Sequence, residues 1–234
     1  IVAVATLLVA FVLCIKGVRE PDIWWQIRTG EWILENKTIP TQDVFSYTYE
    51  GASWVNVKWG SEVLFALIQY TLGAEFIFLL QAIVVLCMVF FLYKTALLFH
   101  SINNQSSTIV YWLSMLLFLI GAEYRFIGRP EMFSHLLTSI FVYVLFKHRT
   151  TQTNALFILI PLQIVWANLH EAFGIGLVIA AVFTVGEWIQ YYLHKKNILH
   201  GNSSKPIKLT ALLPLLILST IINPYGYKLL TKPF

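Results

Sequence analysis

AEFIFLLQAIVVLCMVFFLYKTALLF, residues 74–99, decides the fold class. Between Glu75 and Lys94 the run is uncharged, and it exceeds the roughly 20 apolar residues a helix needs to cross a bilayer. Outward from it, apolar runs separated by polar breaks recur at 1–15, 108–121, 132–146, 155–167, 173–189 and 209–222. The pattern predicts an all-α integral membrane protein, a polytopic bundle of about seven spans forming one transmembrane module over residues 1–234. Several runs are short for a bilayer and are expected to tilt or to end inside protein. Pro161 and Pro214 should kink the spans that hold them. Because the first run opens at Ile1 and already ends at Ile15, the chain is expected to be truncated there, with more protein beyond Phe234.

Composition agrees. Hydrophobic residues make up 58% of the chain and charged residues 12%, with a mean hydropathy of +0.70, too much apolar surface for a soluble domain of this size. The net charge of +4 is spread over loops without a basic block interleaved with aromatics, so membrane headgroups rather than nucleic acid are the expected partner. Cys14 and Cys87 both lie inside apolar runs and read as small hydrophobes, not as a disulfide or metal pair.

Basic residues in short loops set the expected orientation. Lys94, Lys147, Arg149, Lys195, Lys196, Lys205 and Lys208 fall on one side, against Arg125, Arg129, Lys228 and Lys232 on the other. The first side is read as cytoplasmic, and the long loop over 17–73 as facing outward. Outer connections, EYRFIGRPEM (123–132), WANLHEAF (166–173) and INPYGYK (222–228), mix charges or amides with aromatics where helices leave the membrane. Trp and Tyr there, with Trp24, Trp25 and Trp32, suit an interfacial belt. Charges such as Arg125, Arg129, Glu131, His170 and Glu171 at that depth are costly and are expected to face a watery cleft.

Within the long loop, Ile23, Ile27 and Leu34 share one stripe and Arg28, Glu31 and Glu35 another, predicting an amphipathic interfacial helix over 22–36. Alternation in FSYTY and WVNVKW around EGAS predicts a hairpin. Leu64, Leu67, Ile68 and Leu72 predict a second interfacial helix over 61–72, with Glu62 suited to its N-terminal dipole.

This order resembles the GT-C class of membrane glycosyltransferases, which includes protein O-mannosyltransferases and lipid A aminoarabinose transferases. The segments PDIWWQIRTGEWILENKTIPTQDVFSYT, WVNVKWGSEVLFALI, RPEMFS, WANLH and NPYGY are similar to a large group of uncharacterised bacterial membrane proteins of the same layout. The resemblance implies a multi-pass protein of the bacterial cytoplasmic membrane that transfers sugar from a polyprenyl-phosphate donor to an acceptor on the outer face. It also implies Asp22 as the general base on the acceptor. Arg125 and Arg129 are the expected donors to the leaving lipid phosphate, with Lys58 a further one between Trp54 and Trp59, whose rings offer surfaces to a sugar. His170 and Glu171 complete the expected substrate-binding set.

The better-characterised families often carry a second acid directly after the loop aspartate. Here Ile23, Trp24 and Trp25 follow Asp22, and the neighbouring acid is Glu20. Two carboxylates are too few hard ligands to assign a divalent cation, so no cofactor is expected. Each residue has a plainer reading beside the functional one. Asp22 suits a helix cap, Arg125 and Arg129 could pair with Glu123 and Glu131, His170 could be a hydrogen-bonded structural residue, and Asn223 and Tyr225 read as a turn. The alternatives to an enzyme are a non-catalytic GT-C-shaped subunit working with other membrane proteins and, less favoured, a transporter. Gln81 and Gln163 are the only amides well inside a span, which is little for a coupling site.

Overall fold

The computed structural model describes residues 2–15, 20–103, 108–199 and 204–231. Expectations at Ile1, Lys16, Lys232 and Phe234, and in the linkers at 104–107 and 200–203, lie outside the described residues. The chain forms α1 (Val2–Cys14), α2 (Asp22–Asn36), α3 (Trp59–Thr71), α4 (Ile77–Asn103), α5 (Thr108–Ala122), α6 (Glu131–Thr151), α7 (Leu159–Leu169), α8 (Gly174–Lys195), α9 (Ile207–Ser219) and α10 (Lys228–Thr231). Short 3₁₀ turns lead into α4, α7 and α8.

The seven-span bundle is corrected. Among the described residues only two segments, Ala74–Phe99 and Glu171–Lys195, are long and apolar enough to cross a membrane. α1 and α9 have 13 residues, α5 has 15 and α7 has 11; at about 1.5 Å rise per residue these fall short of a hydrocarbon core of about 30 Å. α6 has the length, 21 residues, but carries Glu131, His135, Lys147, His148 and Arg149. Apolar runs in the sequence mark core helices as readily as spans, because both need hydrophobic side chains.

Helix ends are placed by polar contacts. Arg149 near the end of α6 pairs with Glu187 of α8, and Lys208 at the start of α9 reaches Asn154 before α7, which gathers these termini at one end. At the other end Ser134 of α6 meets His170 after α7, and Asn168 bonds the carbonyl of Ile222 after α9. The main core, centred on Phe141, Leu145, Trp166, Leu212 and Leu216, joins α6 to α9. A second core joins α1, α4 and α5 around Val89, Trp112 and Leu119. Pro161 falls in the first turn of α7, where its missing N–H has no helical partner to lose, so the expected kink is not required there.

α2 and α3 form at the expected places and pack on each other more extensively than any other pair. Their apolar stripes meet inside the protein: Ile23, Ile27 and Phe65 are buried with Ile77, Met132 and Phe133. Gly30 permits the approach, since a Cβ there would lie 2.8 Å from the Ala66 Cβ and closer still to the carbonyl oxygen of Glu62. The expected hairpin is replaced by a single bridge between Gln42 and Ser53, flanked by Trp54 N–H donating to Thr41 O at 2.9 Å. Backbone pairing runs on to Asp43, whose N–H donates to Ala52 O at 2.8 Å and whose carbonyl accepts from Gly51 N–H at 2.9 Å; beyond it the loop curls because the Asp43 carboxylate accepts from the N–H groups of Phe45 and Ser46, both at 2.9 Å.

Candidate functional site

Two chain segments separated by a long stretch of sequence converge at the start of α2. Pro21 precedes that helix and Asp22 is its first residue; Asp22 makes no side-chain cap bond, so the capping role is not realised. Instead Asp22 Oδ2 lies 3.3 Å from Arg129 Nη2, and the same nitrogen contacts Glu20. The space between the two carboxylates is thus taken by a guanidinium. Hydrogen bonding by Glu20 raises the Arg129 pKa against the opposing effect of burial, and Asp22 and Glu131 add to the rise. The Asp22 side chain keeps 55% of its surface exposed.

The turn 126–130 carries Arg129 because Gly128 fits against Ile77 at the start of α4 and Pro130 opens α6. The charges continue along the first turn of α6, which begins at Glu131. Glu131 pairs with Arg125 at 3.4 Å and with His135 at 3.6 Å. Behind Arg125 and His135 an apolar groove of about 320 Å³ descends between α4, α5 and α6, walled by Met88, Leu92, Phe118, Phe126 and Val142.

The second half of the cluster is held where α3 meets the end of α7. Gly60 lies against the carbonyl of Asn168, the Trp59 indole N–H donates to Asn168 Oδ1 at 2.9 Å, and Ser61 Oγ donates to Leu169 O at 3.0 Å. This docking sets Lys58 Nζ 3.4 Å from Glu171 Oε2. His170 is buried between them and α6, its Nδ1 2.7 Å from Ser134 Oγ, which in turn accepts the Trp166 indole N–H at 2.7 Å. Burial lowers the His170 pKa; Glu171 and Glu131 oppose that, while Lys58 and His135 add to it. The imidazole therefore sits within electrostatic reach of both halves of the cluster.

Trp54 and Trp59 do not act together. Trp59 is committed to Asn168, whereas Trp54 lines a separate open pocket of about 450 Å³ with Trp25, Asp43, Phe45, Ser46 and Tyr49. Trp25 is three residues after Asp22 on α2, so this aromatic pocket borders the carboxylate cluster.

Beneath Lys58 lies an acid that the sequence reading treated only as a helix-dipole residue. Glu62 is fully buried; Asn56 Nδ2 donates to its Oε2 at 2.5 Å, while Oε1 has no partner among the described residues. Asn56 is fixed in turn by Tyr225, whose hydroxyl accepts the Asn56 backbone N–H at 2.9 Å and donates to Pro40 O at 3.0 Å. The turn 223–227 thus clamps the long loop, a role the sequence reading of Asn223 and Tyr225 missed. Desolvation pushes the Glu62 pKa from 4.5 up to about 7, against the Asn56 bond and the Lys58 charge. A raised carboxyl pKa means the folded state holds a proton that the unfolded state has released. The stabilising contribution is therefore full below pH 4.5 and is lost as pH rises towards about 7. Glu62→Gln should flatten that slope and stabilise the protein at pH 8 by on the order of 2 kcal/mol, measured by denaturant unfolding in detergent across the window. An unchanged slope in the variant would remove Glu62 as its source.

The geometry forms two groups, Asp22 with Arg129 beside the Arg125–Glu131 pair and Lys58 with Glu171 beside His170, linked by the electrostatic reach of His170 to Glu131; Trp54 lies in the neighbouring aromatic pocket and Trp59 supports the second group. Glu20, Ser134, Glu62 and Asn56 were missed as parts of it. Only for Glu20 did the sequence hold a signal, its adjacency to Asp22. No family model, curated protein or solved structure compared with the chain matches it.

Proposed function

We propose that the chain is a membrane glycosyltransferase of the GT-C type, moving a sugar from a polyprenyl-phosphate donor to an acceptor at the outer face of a bacterial cytoplasmic membrane. The observation that carries this reading is an apolar groove opening at Arg125 and His135 onto a charged cluster that includes an exposed carboxylate, Asp22. The groove suits an isoprenoid chain, and the guanidinium groups suit the phosphate at its head. Asp22 would take the proton of the acceptor hydroxyl as that oxygen bonds to the anomeric carbon. The bond from that carbon to the phosphate oxygen breaks, and the electron pair leaves with the lipid phosphate, facing Arg125 and Arg129.

Membrane association is supported by exposed apolar faces. Leu117 on α5 is 71% exposed and Val182 on α8 is 67% exposed, each within a row of exposed apolar neighbours. The orientation is supported by the long helices α4 and α8, which both begin at the level of the cluster and carry Lys94 and Lys195 towards their far ends.

One observation favours a non-catalytic membrane subunit instead: Arg125, Arg129 and Lys58 are each already matched with carboxylates. Transfer of labelled sugar from a panel of polyprenyl-phosphate sugars by purified protein separates the two. Turnover supports the enzyme, and its absence across donors and acceptors supports the subunit.

A further inference from the structure

The hydrogen bonds around His170 fix where its proton sits. Ser134 Oγ accepts from the Trp166 indole, so its single hydrogen remains to be donated, and the imidazole Nδ1 at 2.7 Å is the acceptor the structure offers it. The backbone N–H of Ala172 also points at Nδ1, at 3.4 Å. Two donors aimed at one ring nitrogen require a lone pair there, which leaves the proton on Nε2. Among the described residues no protein acceptor meets that Nε2–H, although His170 as a whole is only 9% exposed. The charged and titratable groups around it are Lys58 on the loop before α3, Glu131 and His135 on α6, and Glu171 beside it. Lys58 is paired with Glu171 and His135 with Glu131, whereas the imidazole N–H has no carboxylate partner; Arg129 Nε is the other donor of the cluster without a partner among the described residues.

We infer that Ser134 and Trp166 are positioning residues that hold His170 as a neutral Nε2–H donor, and that this N–H binds a phosphoryl oxygen of a lipid-linked phosphate. The assignment rests on the transferase reading given above. A neutral donor suits that oxygen because it stabilises growing negative charge without adding a cation to a cluster whose cations are already balanced. Protonation of Nδ1 would set it against both the Ser134 hydroxyl and the Ala172 N–H.

The tautomer is read by ¹⁵N NMR of the labelled full chain in detergent, and binding by titration with undecaprenyl phosphate, with undecaprenol as the uncharged control. The expected spectrum has a lone-pair-bearing Nδ1 and a protonated Nε2 at neutral pH, with the Nε2–H signal moving on addition of the phosphate and not of the alcohol. Ser134→Ala should mix the tautomers and weaken phosphate binding by about tenfold. His170→Gln, whose amide nitrogen can take the place of Nε2, should retain binding within a few-fold, while His170→Leu should lose about tenfold or more. A proton on Nδ1, or equal affinity in wild type and a folded Ser134→Ala, overturns the inference and leaves the transferase reading standing. No binding of undecaprenyl phosphate by wild type, with the expected tautomer in place, overturns the ligand assignment and the transferase reading together.

Discussion

Asn in place of Asp22 is expected to lower sugar transfer by about 100-fold or more, the usual scale of a lost acid–base contribution, with the fold and donor binding intact. The amide has nearly the shape of the carboxylate. Asp22 is half-exposed and makes no cap bond, so little packing depends on its charge. What is lost is the ability to take a proton from the acceptor. Arg129 remains paired with Glu20, which keeps the turn 126–130 in place. Arg129→Ala should behave differently: it removes a phosphate contact and leaves Glu20 and Asp22 facing each other unneutralised, so donor binding and transfer should both fall. Transfer and donor binding measured side by side on both variants check this. A folded Asp22→Asn protein with wild-type transfer eliminates Asp22 as the base.

The helices over 22–36 and after residue 58 were legible because their apolar residues repeat at helical spacing. Their surroundings were not. A stripe of Ile23, Ile27 and Leu34 looks the same whether it meets lipid or another helix; here Gly30 and Ala66 let α2 and α3 close on each other, burying Ile23 and Ile27 with Ile33, while Leu34 is only half-buried. The same ambiguity produced the overcounted spans, since α7 and α9 are apolar because Leu159, Trp166, Leu212 and Leu216 fill a shared core. The hairpin failed for a local reason, the Asx-type bonds of Asp43, which alternation of side chains does not report.

At the site, residue types were legible and partners were not. Arg129 was expected to serve a lipid phosphate, with Glu123 or Glu131 nearby in sequence as the plainer partner, yet it faces Glu20 and Asp22 across more than a hundred residues. Short-range pairing is a fair guess on a helix but carries no information about which loops a fold brings together. Ser134 and Asn56 are ordinary small polar residues with no motif around them. Their significance comes from burial, where each polar atom must find a partner, and burial emerges only from the tertiary arrangement.

That arrangement depends on one position without a side chain. Gly30 to Ala should gain up to about 1 kcal/mol from helix propensity, so propensity alone predicts a more stable protein. Contact geometry predicts the reverse. The added Cβ would meet the Glu62 carbonyl carbon and oxygen and lie 2.8 Å from the Ala66 Cβ; neither backbone atom can swing aside as a flexible side chain would. Relief requires α2 to move off α3, which unpacks Ile23, Ile27 and Phe65 and carries Asp22 away from Arg129. The expected cost is at least about 3 kcal/mol for Gly30→Ala, at the upper end for overpacking, and Gly30→Val should leave little folded protein. Gly186→Ala on α8 is the control, since nothing lies within 4 Å of a Cβ there. It should be neutral or stabilising by up to about 1 kcal/mol. Denaturant unfolding in detergent compares the two, and a Gly30→Ala protein as stable as Gly186→Ala would show that α2 and α3 do not meet at this glycine.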